Sequence, residues 1–278
     1  MLYIVGTPIG NFEDFSFRAK RILESADIIA CEDTRVTGLL LSDFGIKARL
    51  TSYHEHNKFA KGASICEGLK SGQTVALVSD AGMPCISDPG YELVKTCIEE
   101  GIEISVVPGP TALSCAIALS GLPSDHFYFE GFLPAEGSER KKRLAALQAF
   151  SCMIILYEAP HRLEKTLREL CEKGFSQRQV AVAREITKKY EEVKRGSLES
   201  VAIYYETHKP KGEFVIIIGE GDPINDSKKG PNIEDRILEL HSEGLPTKEI
   251  SAILSKEFNE SKRNLYTQVL KVIEFNKK

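Results

Sequence analysis

Leu2-Tyr-Ile-Val-Gly-Thr-Pro-Ile-Gly-Asn11 is the stretch that decides the architecture. An apolar run passes straight into Gly6, Pro8 and Gly10, which is how an open α/β sheet ends a strand at a ligand crevice. Glycine lets the backbone approach a ligand closely, and Pro8 fixes one φ so that the loop keeps its shape. The spacing is neither G-x-G-x-x-G nor G-x-x-x-x-G-K-[ST], so a plain strand-to-helix turn competes with a binding loop here.

Outward from that stretch the pattern repeats. Residues 12–25 carry apolar positions at helical spacing, and Asp27-Ile-Ile-Ala-Cys31 reads as a short buried strand. Helices are predicted over 36–44, 58–70 and 91–100, with extended segments at 49–53, 75–78 and 102–107. Strands alternating with helices imply right-handed crossovers and a mostly parallel sheet covered on both faces. The α/β reading therefore gives a first domain over 1–113.

Gly121-Leu-Pro123 is a natural break, and a second α/β domain over 114–222 follows. Its predicted strands are 126–132, 152–157, 179–183, 191–194 and 214–218, with helices from 114, over 138–150, up to 173 and from 197. Hairpin-like spacing between the later strands predicts a mixed sheet. Residues 221–232 have a linker's composition. A small helical module occupies 230–278, with helices over 233–242, over 248–255 capped by Thr247, and from Ser261. It resembles a helix-turn-helix, with a plain helical bundle as the alternative.

Composition narrows the function classes. Hydrophobic residues make up 42% and charged residues 27%, the balance of a folded globular protein. No apolar run approaches the roughly 18–20 residues that span a bilayer, and residues 1–10 lack a signal peptide's basic flank and long apolar core, so the expected location is cytoplasmic. Seven cysteines, widely spaced and without a C-x-x-C pair, read as reduced core residues. A net charge of −4 argues against a general nucleic-acid coat. Basic clusters are nevertheless present, among them Arg140-Lys-Lys-Arg143, Lys188-Lys189 and Lys262-Arg263. From Ser227 onward there are ten Lys/Arg against eight Asp/Glu.

In such a sheet, function gathers in the loops after the strands' C-terminal ends. Those loops contain TPIGN, CEDTR, SYHEHN, SDAGMPCISDPG and VPGP; EGFLP, LYEAPHR and VAREITK follow in the second domain. With these motifs in this order, the chain resembles the tetrapyrrole-methylase-like family, in its bacterial 16S ribosomal RNA (cytidine 2′-O) methyltransferase branch, across residues 2–275. Gly6 stands where that family usually has alanine, and Met83 and Cys85 stand where SDAGTPLISDPG would be expected.

The resemblance implies two α/β domains with S-adenosylmethionine in the cleft between them, a homodimer, and 16S rRNA in the 30S subunit as partner. Carried over by motif, the donor contacts are Pro8, Ile9, Ser79, Asp80, Met83, Thr111, Ala112, Tyr157, Glu158 and Ala183. Arg35, His56, Arg140, Lys141 and Arg162 are the expected RNA contacts, the guanidinium being suited to phosphate.

Methyl transfer from a sulfonium to a ribose hydroxyl is an in-line displacement that gains most from alignment. A carboxylate tight against the sulfonium would stabilise the ground state more than the transition state, which places Asp80 on the ligand's polar groups. The hydroxyl proton must also be removed, and His54, His56, Asp33 and Glu158 are the candidate bases, with His54 and Glu158 the catalytic assignments. His54-Glu-His56 supplies two imidazoles and no clear third metal ligand, so no metal is expected. A tetrapyrrole methyltransferase is the rival enzyme, and a ligand-sensing regulator with a DNA-binding tail is the rival of another class.

Overall fold

The opening stretch forms the strand β1 (Leu2–Val5) in a computed structural model that describes residues 1–222, 224, 233–258 and 260–275. The chain divides into two units, Met1–Ile224 and Asn225–Lys278. Within the first unit, β1 lies in a sheet with β2 (Ile28–Cys31), β3 (Leu50–Ser52), β4 (Val75–Leu77) and β5 (Ile104–Val107). The order is β3-β2-β4-β1-β5, and every pairing is parallel.

Both faces of this sheet are covered, which is why its strands read as continuous apolar runs. Leu2, Ala30, Val75 and Leu77 pack with α3 (Lys58–Lys70) and α4 (Tyr91–Glu99) through Ile65, Leu69, Leu93 and Cys97. Val5, Ile29, Cys31 and Ala76 point the other way, onto α1 (Phe17–Ser25) and α2 (Thr34–Asp43), meeting Ala19, Leu23 and Leu41. The helix predicted over 12–25 is shorter than its apolar pattern. Asn11 accepts from the Glu13 amide over a single 3₁₀ turn, and Ser16 then caps α1 by accepting from the Ala19 amide at 3.0 Å.

The second sheet contains β6 (Phe127–Phe132), β7 (Met153–Glu158), β8 (Gln179–Arg184), β9 (Glu192–Ser197) and β10 (Phe214–Ile218), in the order β6-β7-β10-β8-β9. It is mixed: β6 and β7 are parallel, and the remaining pairs are antiparallel. α5 (Ala112–Ser120) covers one face of it through Ala116. α6 (Gly137–Leu147), α7 (Pro160–Leu170) and α8 (Leu198–Thr207) cover the other. The division expected after residue 113 falls in the first turn of α5.

A β-bulge interrupts the β6–β7 register between Phe129 and Gly131. Gly131 has φ +71°, and a Cβ there would lie 2.8 Å from Ser87 Oγ, so the loop after β4 rests against this glycine. A left-handed backbone costs a non-glycine residue roughly 1–2 kcal/mol. Gly131→Ala is therefore expected to lower stability by about that amount and to displace Ser87, measurable as a lower urea midpoint.

The second unit contains α9 (Ile233–Ser242), α10 (Thr247–Glu257) and α11 (Lys262–Phe275). Ile237, Leu240, Ile250, Leu254, Leu265 and Val269 form their common core. Thr247 is the first residue of α10 rather than its cap; Pro246 holds the capping position in extended conformation without a side-chain bond. Ser261 does cap, accepting from the Asn264 amide at 3.3 Å. Apart from 221, 222 and 224, the linker expected over 221–232 lies outside the described residues. Among the described residues no helix is long and apolar enough to cross a membrane. All seven cysteines are free; Cys31, Cys66 and Cys97 are buried and the rest half-buried.

Candidate active site

Backbone bonds lock three loop starts of the first sheet together. Thr7 and Gly82 exchange two amide bonds of 2.9 and 3.1 Å, and the Gly6 amide donates to Val107 at 3.1 Å. Thr7 Oγ1 donates to the Ser79 carbonyl at 3.2 Å, and Ser79 Oγ donates to the Gly82 carbonyl at 3.2 Å. A Cβ on Gly6 would meet both Gly109 Cα and Met83 Sδ at 2.6 Å. Two of the departures from the family pattern, at 6 and 83, thus touch: the missing methyl is the space that the methionine sulfur fills.

These loops form one wall of a cleft of about 510 Å³. Its other wall comes from Phe132 at the end of β6, the Tyr157–His161 turn, Ile186 after β8, and the Glu213–Val215 start of β10. Of the expected donor contacts, Ile9, Asp80, Met83, Thr111, Ala112, Tyr157 and Glu158 line it. Pro8, Ser79 and Ala183 do not; they are buried behind the lining, where Ser79 ties the loop and Ala183 pairs with Val215.

Tyr157 is positioned by packing edge-on against Phe129 and Phe132, and its hydroxyl accepts from the Leu113 amide at 3.0 Å. Burial pushes its phenol above the ordinary range. Thr111 caps α5 by accepting from the Ser114 amide.

The charged residues fall into two groups. Glu158, with a side chain 1% exposed, is saturated. It accepts from Arg162 Nε at 2.6 Å, from Thr166 Oγ1 at 2.6 Å and from the Ala159 amide at 2.9 Å. Oε1 takes the Arg162 and Ala159 bonds and Oε2 the Thr166 hydroxyl, so the carboxylate expected as a base is engaged in internal bonds. Arg162 is correspondingly engaged, its Nη1 donating to the Leu133 carbonyl at 3.1 Å.

Arg140 continues the same buried chain. It donates to Thr166 Oγ1, to Glu169 and to the Pro134 carbonyl, with its side chain 3% exposed. Arg143 binds Glu130 through two bonds of 2.6 and 2.7 Å. The basic run 140–143 is therefore partly internal: Arg140 is buried and Arg143 is half-buried on Glu130, while Lys141 and Lys142 face solvent. Arg140 and Arg162, expected on RNA, instead tie α6 and α7 to the loop after β6.

Asp33 caps α2, accepting from the Arg35 amide at 2.8 Å and pairing with its guanidinium at 2.6 Å. Those bonds hold the Asp33 carboxyl down at about 2, too weak a base for a hydroxyl. Arg35 remains 88% exposed on its outer side. His54 does not line the cleft. Its amide donates to Asn57 Oδ1, its Nε2 faces Asn57 Nδ2 at 3.2 Å, and its Nδ1 is buried without a partner. His56 is exposed beside it, the rings 6.0 Å apart. Among the described residues no group of three or more His, Cys, Asp or Glu is arranged to hold a metal ion.

Two carboxylates of the lining are held by no cation among the described residues. Asp80 Oδ1 accepts from the Asp33 amide at 3.0 Å. Asp88, half-buried, is pushed up to about 7 by burial first and by the neighbouring charges of Glu32 and Asp80, with the Ser79 hydroxyl acting in the opposite sense. Burial and Asp80 raise Glu32 as well. Reading the sequence missed Asp88, Phe132, His161 and Glu213. Asp88 lay in plain view in the loop after β4, but only the fold brings it to Glu32 from the end of β2.

The lining contains Asp80, Asp88, Glu158 and Glu213 and, among the described residues, no Lys or Arg. Glu158 and Glu213 are neutralised by Arg162 and Lys188 from outside the lining, so it is the unpaired Asp80 and Asp88 that make the cleft suit a ligand with positive charge.

Comparison with known proteins places the chain in a family. Residues 1–202 match the family model described as Tetrapyrrole (Corrin/Porphyrin) Methylases. A Mesorhizobium japonicum protein named ribosomal RNA small subunit methyltransferase I is 42% identical over 272 residues, covering 98% of this chain and 92% of the relative. The Escherichia coli O157:H7 protein of the same name is 42% identical over 271 residues, covering 97% and 94%. A similar fold occurs in the crystal structure of uroporphyrin-III C-methyltransferase from Thermus thermophilus complexed with S-adenosylhomocysteine. It has a TM-score of 0.56 at 20% identity and covers 79% of this chain and 97% of that one.

Proposed function

We propose, from the premise that the chain belongs to the tetrapyrrole (corrin/porphyrin) methylase family, that it transfers a methyl group from S-adenosylmethionine to 16S ribosomal RNA. The site of transfer is the ribose 2′-hydroxyl of a cytidine in the decoding region. The observation that carries the donor is the cleft itself, in which, among the described residues, Asp80 and Asp88 are paired with no cation and the lining includes no Lys or Arg. The acceptor rests on relatives 42% identical over nearly their whole length that are named for small-subunit rRNA methylation.

The lining fits the donor. S-adenosylmethionine supplies an activated methyl on a sulfonium, and its ammonium adds a second positive charge against one carboxylate, so the molecule is a net cation. Asp80 is placed to accept from its polar groups, and Ile9, Met83, Tyr157 and Val215 give apolar surface to its adenine ring and to the carbons around its sulfur. Thr111 and Ala112, at the start of α5, complete that side of the lining. The apolar side chains and the Gly131 bulge keep the loop after β4 in place, so that alignment is set before the acceptor arrives.

On the RNA side, Arg35, His56 and Lys141 are exposed, and His161 stands exposed at the cleft edge. RNA is recognised through phosphates and exposed single-stranded bases, which these side chains suit. The same reading takes the 30S subunit as the particle acted on, a homodimer as the working form and the cytoplasm as the location, following the family resemblance.

The test is mass spectrometry of 16S RNA nucleosides after incubating the protein and S-adenosylmethionine with 30S subunits that lack the modification. A cytidine carrying a methyl on its ribose is the expected product. Label passing to a porphyrinoid and never to RNA would sink the reading in favour of a tetrapyrrole methyltransferase.

A further inference from the structure

We propose that Asp88 is the catalytic base, its carboxylate taking the proton of the acceptor hydroxyl in the wall of the cleft. This rests on the methyl-transfer reading above.

Elimination within the cleft carries the assignment. Of the four lining carboxylates, Glu158 is consumed by Arg162, Thr166 and the Ala159 amide. Glu213 pairs with Lys188 at 2.8 Å, with its side chain 80% exposed. Asp80 spends one oxygen on the Asp33 amide. Asp88 lines the cleft, and no cation faces it among the described residues.

Its position is held. Cys85 and Ser87 before it have φ +71° and +61°, conformations that persist only where the surroundings impose them. Ser87 Oγ rests against Gly131, and Cys85 Sγ fills the space a Cβ on Gly90 would need. The loop therefore presents Asp88 from a clamped backbone rather than a free one.

The groups that face Asp88 come from three elements. Glu32 follows β2; Asp80, Cys85 and the Ser79 hydroxyl belong to the loop after β4; Tyr157 ends β7. None of them is basic, and burial first, then the charges of Glu32 and Asp80, raise the proton affinity of Asp88 to about 7. A base works best when its proton affinity lies near the operating pH, and such a perturbation in a cleft is a mark of function.

The charge balance of the step closes on these residues. The hydroxyl O–H bond breaks and its proton goes to an Asp88 oxygen. The electron pair left on the ribose oxygen forms the new bond to the methyl carbon. The carbon–sulfur bond breaks with its pair kept by sulfur, so that the sulfonium donor ends as a neutral thioether. A carboxylate and a cation become a neutral acid and a neutral molecule. While the donor is bound, its positive charge favours ionised Asp88. As that charge disappears, the field of Glu32 and Asp80 again favours the protonated form, so the proton is drawn to Asp88 as transfer proceeds.

The first readout is independent of turnover. Calorimetry of S-adenosylmethionine binding near pH 7, in buffers of different ionisation heat, is expected to show proton release by the wild-type protein. Release should be lost in Asp88→Asn and much smaller with S-adenosylhomocysteine. Carboxyl carbon NMR of the wild type should show Asp88 titrating near 7. A midpoint near 4, or proton release unchanged in Asp88→Asn, overturns the proposal.

The second readout is single-turnover methylation of 30S subunits lacking the modification. Asp88→Asn is expected to fall by about 10²- to 10⁴-fold with donor affinity changed only a few-fold, and Asp88→Glu to recover part of the rate. Asp88→Asn methylating at the wild-type rate, or losing donor affinity alone, also overturns it. Should the wild type methylate no RNA, the functional reading fails, and proton release still decides whether Asp88 answers to the donor's charge.

Folding supplies a third check. Because the folded-state affinity is raised, the stability Asp88 contributes is full below about 4 and lost as pH rises through about 7. Asp88→Asn should therefore melt higher than wild type at pH 8, and the gain should vanish near pH 4. A gain equal at both values goes against the proposal.

Discussion

Arg162→Ala is expected to cost about 3 kcal/mol of folding stability, because it strands the Glu158 carboxylate in a site where it is 1% exposed. Two bonds to Glu158 and one to the Leu133 carbonyl disappear together. The carboxylate keeps only the Ala159 amide and the Thr166 hydroxyl. Breaking a buried pair from one side is more damaging than replacing both partners, since the remaining charge has lost its water and its counter-ion. For a domain with roughly 5–15 kcal/mol in hand, this is a large fraction. In urea the midpoint should fall by about 1 M with the slope unchanged. The double replacement Glu158→Gln with Arg162→Met should recover part of the loss. An unchanged midpoint accompanied by weaker RNA binding would instead return Arg162 to the RNA surface, where its residue type alone had placed it.

Asp80→Ala is expected to weaken S-adenosylmethionine binding by about 10- to 100-fold, the range for losing a hydrogen bond to a charged group. Stability should change far less, since the partner left behind is one amide, that of Asp33. The charge argument gives the effect a signature: affinity for S-adenosylmethionine should fall more than affinity for S-adenosylhomocysteine, which lacks the sulfonium. The variant should also bring the Asp88 titration down from about 7, because Asp80 is one of the two carboxylates that raise it. Unchanged donor affinity by calorimetry would remove Asp80 from the binding wall.

Several features were legible in the residues themselves. The parallel first sheet followed from short strands without polar alternation, separated by helix-length segments, as in Ile28–Cys31 and Val75–Leu77. The mixed second sheet followed from the close spacing of its later strands. The motifs of the family resemblance put Ile9, Asp80, Met83, Thr111 and Tyr157 on one ligand, and they line one cleft. Other predictions failed for a common reason. Arg140, in a basic run, and Arg162, in the loop after a strand, look like surface cations, but both turn inward onto carboxylates. Glu158 looks like a free acid, and its neutralising partner sits one turn further along the same helix entry. His54 looks catalytic in His-Glu-His, yet its loop folds onto Asn57.

Local sequence thus determined the elements, their order and the loops at which a ligand would be met. Strand period, turn residues and helix caps act over a few residues, so they are visible in the chain as written. Tertiary structure alone decided the charge state of the site. Whether a carboxylate is saturated like Glu158, held down like Asp33 or pushed up to about 7 like Asp88 depends on groups brought from distant elements and on the water they displace. The opening Gly6 to Asn11 loop shows both halves: its glycines announced a crevice, and only the packing of Gly6 against Met83 and Gly109 showed what shape of wall they build.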